Sequence, residues 1–424
     1  MIDIIFDSTI LLNYSNKNSG RSGIFFFAYN VLVELLKRDD VRVSLWAKES
    51  DLYYLKKMKK DLFPNVESIY LPPDKYDFLF APKVKLDLMW NKYVTFPLVR
   101  MVVSLVRLIY DAFLRFFFRG ENTCNKRDLK KFDFFFEPFG NAPKSIHKEL
   151  VCCNVFHDAI PLKFSYMGWS LKKNLQEQIA SVTKKDISFF VSENTKADFC
   201  TIDKKFDSED SVVIPLAASG LFKPVLNNKE VERVRNKYRI PPMKKYVFGL
   251  CTLEPRKNLF RIINCFCTFI EKNQIEDIVF VLGGGQWDLF QKKNNVHWNE
   301  KQVVRAGYID DEDLPVLYSN AEWFVYTSQY EGFGLPVLEA MQCGCPVIVG
   351  NNSSLPEVVG DAGIMIDWDS DKQHVEAFEE YYYNTKKREK NRRNGLIQAG
   401  LFSWNKTADG IVSAMQKHLS KNAV

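Results

Sequence analysis

The stretch Trp323–Pro346, WFVYTSQYEGFGLPVLEAMQCGCP, constrains the fold more than any other part of the chain. Trp323 to Tyr326 is a short aromatic run fit for a buried strand, and Gly332 and Gly334 then break the chain into a tight loop. Pro336 suits the first positions of a helix, and Gly344 closes that helix about two turns later. A strand, a Gly loop and a helix start present backbone N–H groups and a positive dipole end, which suit a phosphate or a partly anionic sugar oxygen. Glu331 and Glu339 bracket the loop with seven residues between them. Like charges repel, so two carboxylates around an anion-friendly loop fit best if each accepts hydrogen bonds from hydroxyls, which sugars and ribose carry.

At 424 residues the chain exceeds what one core usually holds, so two domains are expected. The net charge of +6 is modest and uneven. Between Lys83 and Lys131 eleven Lys and Arg stand against four Asp and Glu, a local +7 that accounts for the excess. Nine cysteines in mostly apolar runs, without C-x-x-C, read as free thiols in a reducing compartment, not disulfides or a zinc site. The start, MIDIIFDSTILLNYS, has no basic n-region and reads as a first strand, which makes export unexpected.

The E-x7-E spacing with F-G-L-P inside it, followed by E-A-M-x-C-G-x-P-V-I, resembles the donor-site signature of the family-four retaining glycosyltransferases of the GT-B fold. An ordinary strand-loop-helix with two solvated glutamates is the plain alternative. The resemblance implies an α/β architecture of two doubly wound Rossmann-like domains facing across a cleft. Their expected bounds are residues 1–217 for the acceptor domain and 218–403 for the nucleotide-sugar donor domain. Residues 404–424 would form a helix that crosses back to the first domain. Around the signature, the resemblance makes Glu331, Gly332, Phe333, Gly334, Leu335 and Glu339 donor-binding, with Glu331 on sugar hydroxyls and Glu339 on the ribose diol.

Taken in order, Ile2 to Phe6 reads as a strand and Phe25 to Leu36 as a helix, joined by a Gly turn. In resembling enzymes that turn lies against the donor diphosphate, which makes Gly23, and less directly Arg21, candidates. Val94 to Phe118 is 25 residues long and strongly apolar, but Arg100, Arg107, Asp111 and Arg115 argue against a membrane span. A central charge costs about 2.5–3.5 kcal/mol on the lenient insertion scale. Three readings stand for it: a core helix with a wet edge, a helix lying on anionic lipid, or a surface for a partner helix. The strand Val151–Phe156 delivers His157 and Asp158 to its carboxyl end, and FHDAIPLKF resembles the family's H-D-x-x-P-L segment, whose His lies beside the reacting carbon. Asp158 reads as an orienting or capping group. Ser192 and Thr195 read as helix caps.

Beyond a Pro-punctuated linker, Tyr246–Leu250 is a strand and CTLEPRKNL joins it to a helix that Asn258 would cap. Arg256 and Lys257 thus stand just ahead of a helix start, where an Arg fork and a Lys point charge suit a diphosphate. P-R-K-N also matches the family, although Cys251 stands where a Gly is usual. Gly283, Gly284 and Gly285 end one strand. Val303–Ile309 resembles the strand whose backbone holds the nucleobase, which makes Tyr308 and Ile309 candidates. Glu357 reads as a helix-start acid, and the D-x-D triplets at 367–371 as a solvated acidic turn and not a metal site.

The chemistry implied is transfer of a sugar from a GDP- or UDP-linked donor to a saccharide or lipid-linked saccharide, as in surface polysaccharide assembly. Configuration at the sugar carbon would be retained. His157, Glu331, Arg256 and Lys257 would be the catalytic residues. With cations to carry the leaving charge, no metal or other cofactor is expected. Two alternatives stay open: a nucleotide-sugar epimerase on the same fold, and a catalytically silent scaffold, against which the intact site residues speak. No nucleic-acid motif appears, and the basic stretch is mostly aliphatic and aromatic. A protein of the cell interior, in contact with the inner membrane face through 94–118, is the expected setting.

Overall fold

In the computed structural model the described residues are 1–13, 23–47, 52–64, 68–69, 97–117, 129–250, 252, 254–284 and 301–422. Arg21, Cys251 and Gly285 lie outside them, as do the side chains of Arg100, Arg107, Asp111 and Arg115. By packing, the chain forms two compact units. The first joins Met1–Val155, Lys173–Ser188 and Met415–Val424; the second joins Phe156–Lys172 and Phe189–Ala414. Part of the stretch assigned from sequence to the acceptor domain, including His157 and Ser192, therefore packs with the donor-side unit.

Each sheet grows from near-continuous apolar strands, the pattern of strands covered on both faces. The first contains β1 (Ile2–Asp7), β2 (Val41–Trp46), β3 (Ser68–Ile69), β4 (Phe134–Glu137), β5 (Val151–Phe156), β6 (Ile187–Phe190) and β7 (Ser211–Val213), in the order β3-β2-β1-β4-β5-β6-β7. The second contains β8 (Lys245–Leu250), β9 (Ile278–Gly283), β10 (Val303–Gly307), β11 (Trp323–Tyr326), β12 (Val347–Gly350) and β13 (Ile364–Ile366), in the order β10-β9-β8-β11-β12-β13. In the second sheet the pairings of β8 with β9 and β11, and of β12 with β11 and β13, are parallel. Chain order reverses between β8 and β11, so the crevice outside their carboxyl ends is the switch point where open α/β sheets bind ligands.

The helix Leu259–Asn273 covers one face of the second sheet through Leu259, Ile262, Ile263, Phe266 and Ile270, the residues its 3.6-residue period picks out. Phe266 stands edge-on to Phe280 of β9 at 5.2 Å, and Phe378 of the helix Asp371–Tyr383 completes the layer. In the first unit Trp46 meets Phe135 at 5.5 Å and Phe6 stacks on Phe136 at 5.3 Å. The end of the C-terminal helix Trp404–Asn422 belongs to this unit, where His418 stands against Phe134.

The structure corrects two expectations and extends one. Asn258 occupies the residue before Leu259 with φ of 58°, but its amide donates to the Trp368 carbonyl at 2.6 Å and caps nothing. Glu357 does sit in the first turn of Leu355–Val359, yet its carboxylate accepts from the backbone N–H groups of Glu193 and Asn194, both at 2.8 Å. It caps a different helix, Glu193–Ile202, together with Ser192. The third concerns the apolar helix, which runs Pro97–Phe117. It is not a core helix with a wet edge: Met101, Val102, Leu105, Leu108 and Ile109 are all more than half exposed, and Val103 is buried. Among the described residues, no helix is long and apolar enough to cross a membrane.

Candidate functional site at the second switch point

The strand β8 leaves the sheet into a single 3-10 turn, Pro255–Lys257, and β11 leaves it into the loop Thr327–Gly334. These exits are tied together by the backbone, since the Gln329 N–H donates to the Arg256 carbonyl at 2.7 Å. The tie sets three charged side chains against one another. Lys257 Nζ lies 2.7 Å and Arg256 Nη1 2.9 Å from the same oxygen, Oε1 of Glu331. All three residues are buried. Arg256 is held further by the Tyr330 carbonyl and by Glu254, each at 2.9 Å, while Lys257 meets the hydroxyl of Tyr326 and lies over its ring.

Burial alone would raise the Glu331 carboxyl, but the charges of Lys257 and Arg256 outweigh it and hold the group below its usual range. Burial likewise disfavours the Lys257 ammonium, and Glu331 overcomes it, so the amine stays protonated well beyond neutral pH. With Glu254 on the other edge of the Arg256 guanidinium, the two cations are matched by two carboxylates, of which Glu331 is the buried one.

The backbone of Glu331 is fixed separately from its side chain. Its N–H donates to Ser353 Oγ at 3.1 Å, and Ser354 Oγ donates to the carbonyls of Glu331 and Phe333 at 3.0 and 2.8 Å. Gly332 must be glycine: an added Cβ would stand 1.9 Å from the His157 carbonyl oxygen. Ser192 and Thr195 then donate to the Gly332 carbonyl at 2.7 and 3.0 Å. These contacts bring the His157–Asp158 segment and the start of Glu193–Ile202 onto the loop that carries Glu331. Asp158 Oδ1 accepts from the Ile160 N–H at 2.9 Å, so it turns its own chain, as its sequence position implies.

Gly334 adopts φ of 108° and opens the helix Leu335–Gln342, with Pro336 in its first turn. Its carbonyl already accepts from the N–H groups of Val337 and Leu338, at 3.0 and 3.3 Å, and Pro336 has no N–H. The helix start therefore offers an anion fewer donors than the sequence pattern suggests. Phe333 packs inward, edge-on to Phe402 at 5.8 Å.

Glu339 lies in the opposite electrostatic setting. Burial of its carboxyl, reinforced by the charge of Asp311, pushes its pKa up to about 8. Tyr308 and Ile309 sit two or three residues before Asp311, one exposed and one buried, with the Ile309 side chain close to Gly283. Glu339, Tyr308 and Ile309 thus gather at the β9 and β10 end of the unit. No contact described joins them to Arg256, Lys257 and Glu331. Gly23 begins the helix Gly23–Leu35 in the first unit.

Sequence reasoning missed Tyr326, Glu254, Ser353 and Ser354. None belongs to a spaced pattern, and the only cue was a pair of serines just before the Leu-Pro-Glu segment. Of the metal-capable groups among the described residues, His147, Cys152 and Asp186 lie together in the first unit. Asp186 is already engaged there by the Cys152 N–H and by Thr183, at 2.8–2.9 Å. The D-x-D triplets serve packing: Asp369 and Asp371 pair with Arg261, and Ser370 caps Asp371–Tyr383.

Two doubly wound parallel sheets, the second with a charged site at its switch point, define a protein of the GT-B fold. Solved structures agree. HepE from Anabaena, in complex with UDP and glucose, superposes with a TM-score of 0.60 at 14% identity over 98% of this chain and 100% of that one. WaaG, a glycosyltransferase involved in lipopolysaccharide biosynthesis, gives 0.56 at 15% identity over 96% and 97%. Residues 230–398 match the family described as glycosyl transferases group 1. Among curated relatives, the O-antigen chain mannosyltransferase B of Escherichia coli is 31% identical over 58% of this chain and 63% of its own length. A serotype-specific mannosyltransferase, WbdA of the same species, is 28% identical over 66% of this chain and 36% of its own length. The chain thus spans less than two thirds of either relative.

The Glu339 environment gives a pH prediction. Its pKa is raised from about 4.5 in the unfolded chain to about 8 in the folded one, so the stabilisation is full below about 4.5 and is lost as pH rises through about 8. Thermal unfolding from pH 5 to pH 9 is expected to show wild type losing Tm relative to Glu339→Gln. Parallel curves for the two proteins would contradict a Glu339 held neutral in the folded chain.

Proposed function

We propose that this protein is a retaining, metal-independent glycosyltransferase that moves a hexose from a nucleotide diphosphate sugar to a saccharide or lipid-linked saccharide in bacterial surface polysaccharide assembly. One observation carries the reading: the buried Arg256–Lys257–Glu331 cluster at the β8/β11 switch point, two adjacent cations converging on one carboxylate oxygen. The relatives named as mannosyltransferases favour a mannosyl donor, with GDP-mannose first among candidates and UDP-sugars second.

In this reading Arg256 and Lys257 turn toward the donor's phosphates and take the charge that builds on the departing oxygen, where preorganised cations gain most. Released from one of its cations, Glu331 accepts a sugar hydroxyl. Glu339 meets the ribose, and the His157 segment lies beside the sugar carbon. The acceptor hydroxyl attacks that carbon on the face the phosphate leaves; the carbon–phosphate oxygen bond breaks as the new glycosidic bond forms. The acceptor's proton passes to the leaving phosphate oxygen. The exposed apolar side of Pro97–Phe117 supports contact with an anionic membrane surface, where a lipid-linked acceptor would be met.

A thermal-shift screen over GDP- and UDP-sugars is expected to raise Tm with one nucleotide class, by mass action on the folded state. Lys257→Ala is expected to lower kcat by about 10²–10³-fold, the usual loss for one charge-stabilising donor, with an unchanged circular dichroism spectrum. Wild-type turnover in that variant would refute the site. Flotation with anionic liposomes checks the membrane contact: replacing Leu105, Leu108 and Ile109 together by Glu should abolish it, and undiminished flotation would remove that part of the proposal.

A further inference from the structure

Next to the charged site lies an aromatic surface that the reading above does not use. The segment Phe164–Trp169, FSYMGW, follows the His157–Asp158 strand exit and turns back on itself through the Met167 N–H, which donates to the Phe164 carbonyl at 3.2 Å. Two of its rings stand at the surface. Trp169 is 75% exposed and Tyr166 46% exposed. Large aromatic side chains left on a soluble surface beside a site mark a binding surface more often than scattered leucines do.

The surface is continuous with the site. The ring of Tyr166 lies 5.5 Å from that of Phe164, which in turn lies 6.4 Å from the ring of Tyr330. Tyr330 precedes Glu331, and its carbonyl accepts from Arg256. Tyr166 is thus two ring contacts away from the residue whose carbonyl holds Arg256. The support beneath is polar and fixed. Lys163 Nζ lies over the Tyr330 ring at 5.0 Å and pairs with Asp198 at 2.7 Å, and the Tyr330 hydroxyl donates to Asp198 at 2.6 Å. Lys163, Asp198 and Tyr330 thus fix the Tyr330 ring against which Phe164 packs.

We propose that Tyr166 and Trp169 form a stacking platform for a sugar ring of the acceptor, making Phe164–Trp169 the acceptor-recognition element beside the donor site. A pyranose has one flat face of C–H bonds and a rim of hydroxyls. Exposed aromatic faces with the Tyr166 hydroxyl and the Lys163 ammonium at their edge match both. A lipid tail would call for an apolar surface without that charge. The platform's place within reach of Arg256 sets the stacked ring next to the reacting end of the donor. This inference rests on the transferase reading for its biological meaning, but sugar binding itself does not depend on turnover.

The test is direct binding by saturation-transfer NMR and tryptophan fluorescence to a panel of di- to tetrasaccharides of mannose, glucose, galactose and their N-acetylated forms. At least one oligosaccharide is expected to bind the wild-type chain. Trp169→Ala and Tyr166→Ala should each weaken it about tenfold, which corresponds to ~1.4 kcal/mol. Tyr166→Phe, which keeps the ring, should bind within about threefold of wild type. Both residues are exposed, so the fold should survive, and the Tm reports it. Lys257→Ala is expected to lose the nucleotide-induced thermal shift while keeping oligosaccharide binding, which separates failure of the platform from failure of the donor site. The proposal is overturned if no panel member binds, if both alanine variants bind as wild type does, or if Trp169→Ala loses only binding to phosphatidylglycerol vesicles.

Discussion

Two cations that meet on one buried carboxylate oxygen are the interaction on which the rest of the second unit depends. Arg256 and Lys257 are adjacent in the chain and would repel each other if both were buried without an anion. Desolvating three charges is expensive, and attraction offsets it only where geometry is good and remaining valences are met. The hydrogen bonds around the cluster supply those conditions. Gln329 holds the Arg256 backbone, Ser353 and Ser354 hold the Glu331 backbone, and Ser192 and Thr195 hold Gly332. The loop is thus built from its carbonyls and amides inward, leaving the charged groups poised. Such a cluster is weak evidence for stability in itself, and its presence at a switch point speaks for function.

The two glutamates of the E-x7-E spacing have been given opposite electrostatic lives by that arrangement. Glu331 lies among cations and is held ionised, whereas Glu339 lies with Tyr318 and Asp311 and is held neutral up to about pH 8. Two carboxylates pushed apart in pKa by their surroundings are a mark of divided roles. An ionised group can orient hydroxyl donors at the reacting end of a ligand. A neutral carboxyl can both donate and accept, which suits a diol at the far end.

Much of this architecture was legible in the chain, because parallel strands buried on both faces write themselves as apolar runs. β1, β5, β8, β9, β11 and β12 all fall where those runs stand. The signature loop and the P-R-K-N turn were readable for a similar reason: glycine and proline punctuate backbone geometry that few other residues allow. What escaped was set by tertiary contact. The helices Trp169–Ser181, Asp371–Tyr383 and Thr385–Ala399 are polar on most of their surface and carry weak periodicity. The Glu357 cap joins residues more than 160 positions apart, which no local pattern encodes. The anchoring of Lys257 by Tyr326 was hidden because a tyrosine within an apolar strand looks like any other core aromatic.

Glu331 binds Arg256 and Lys257 as one coupled unit. A double-mutant cycle between Lys257→Met and Glu331→Gln, read by urea denaturation of the second unit, measures that coupling with the least interference. Coupling of about 1–3 kcal/mol is predicted, in the range found for residues sharing a network, and additivity within about 0.3 kcal/mol would contradict it.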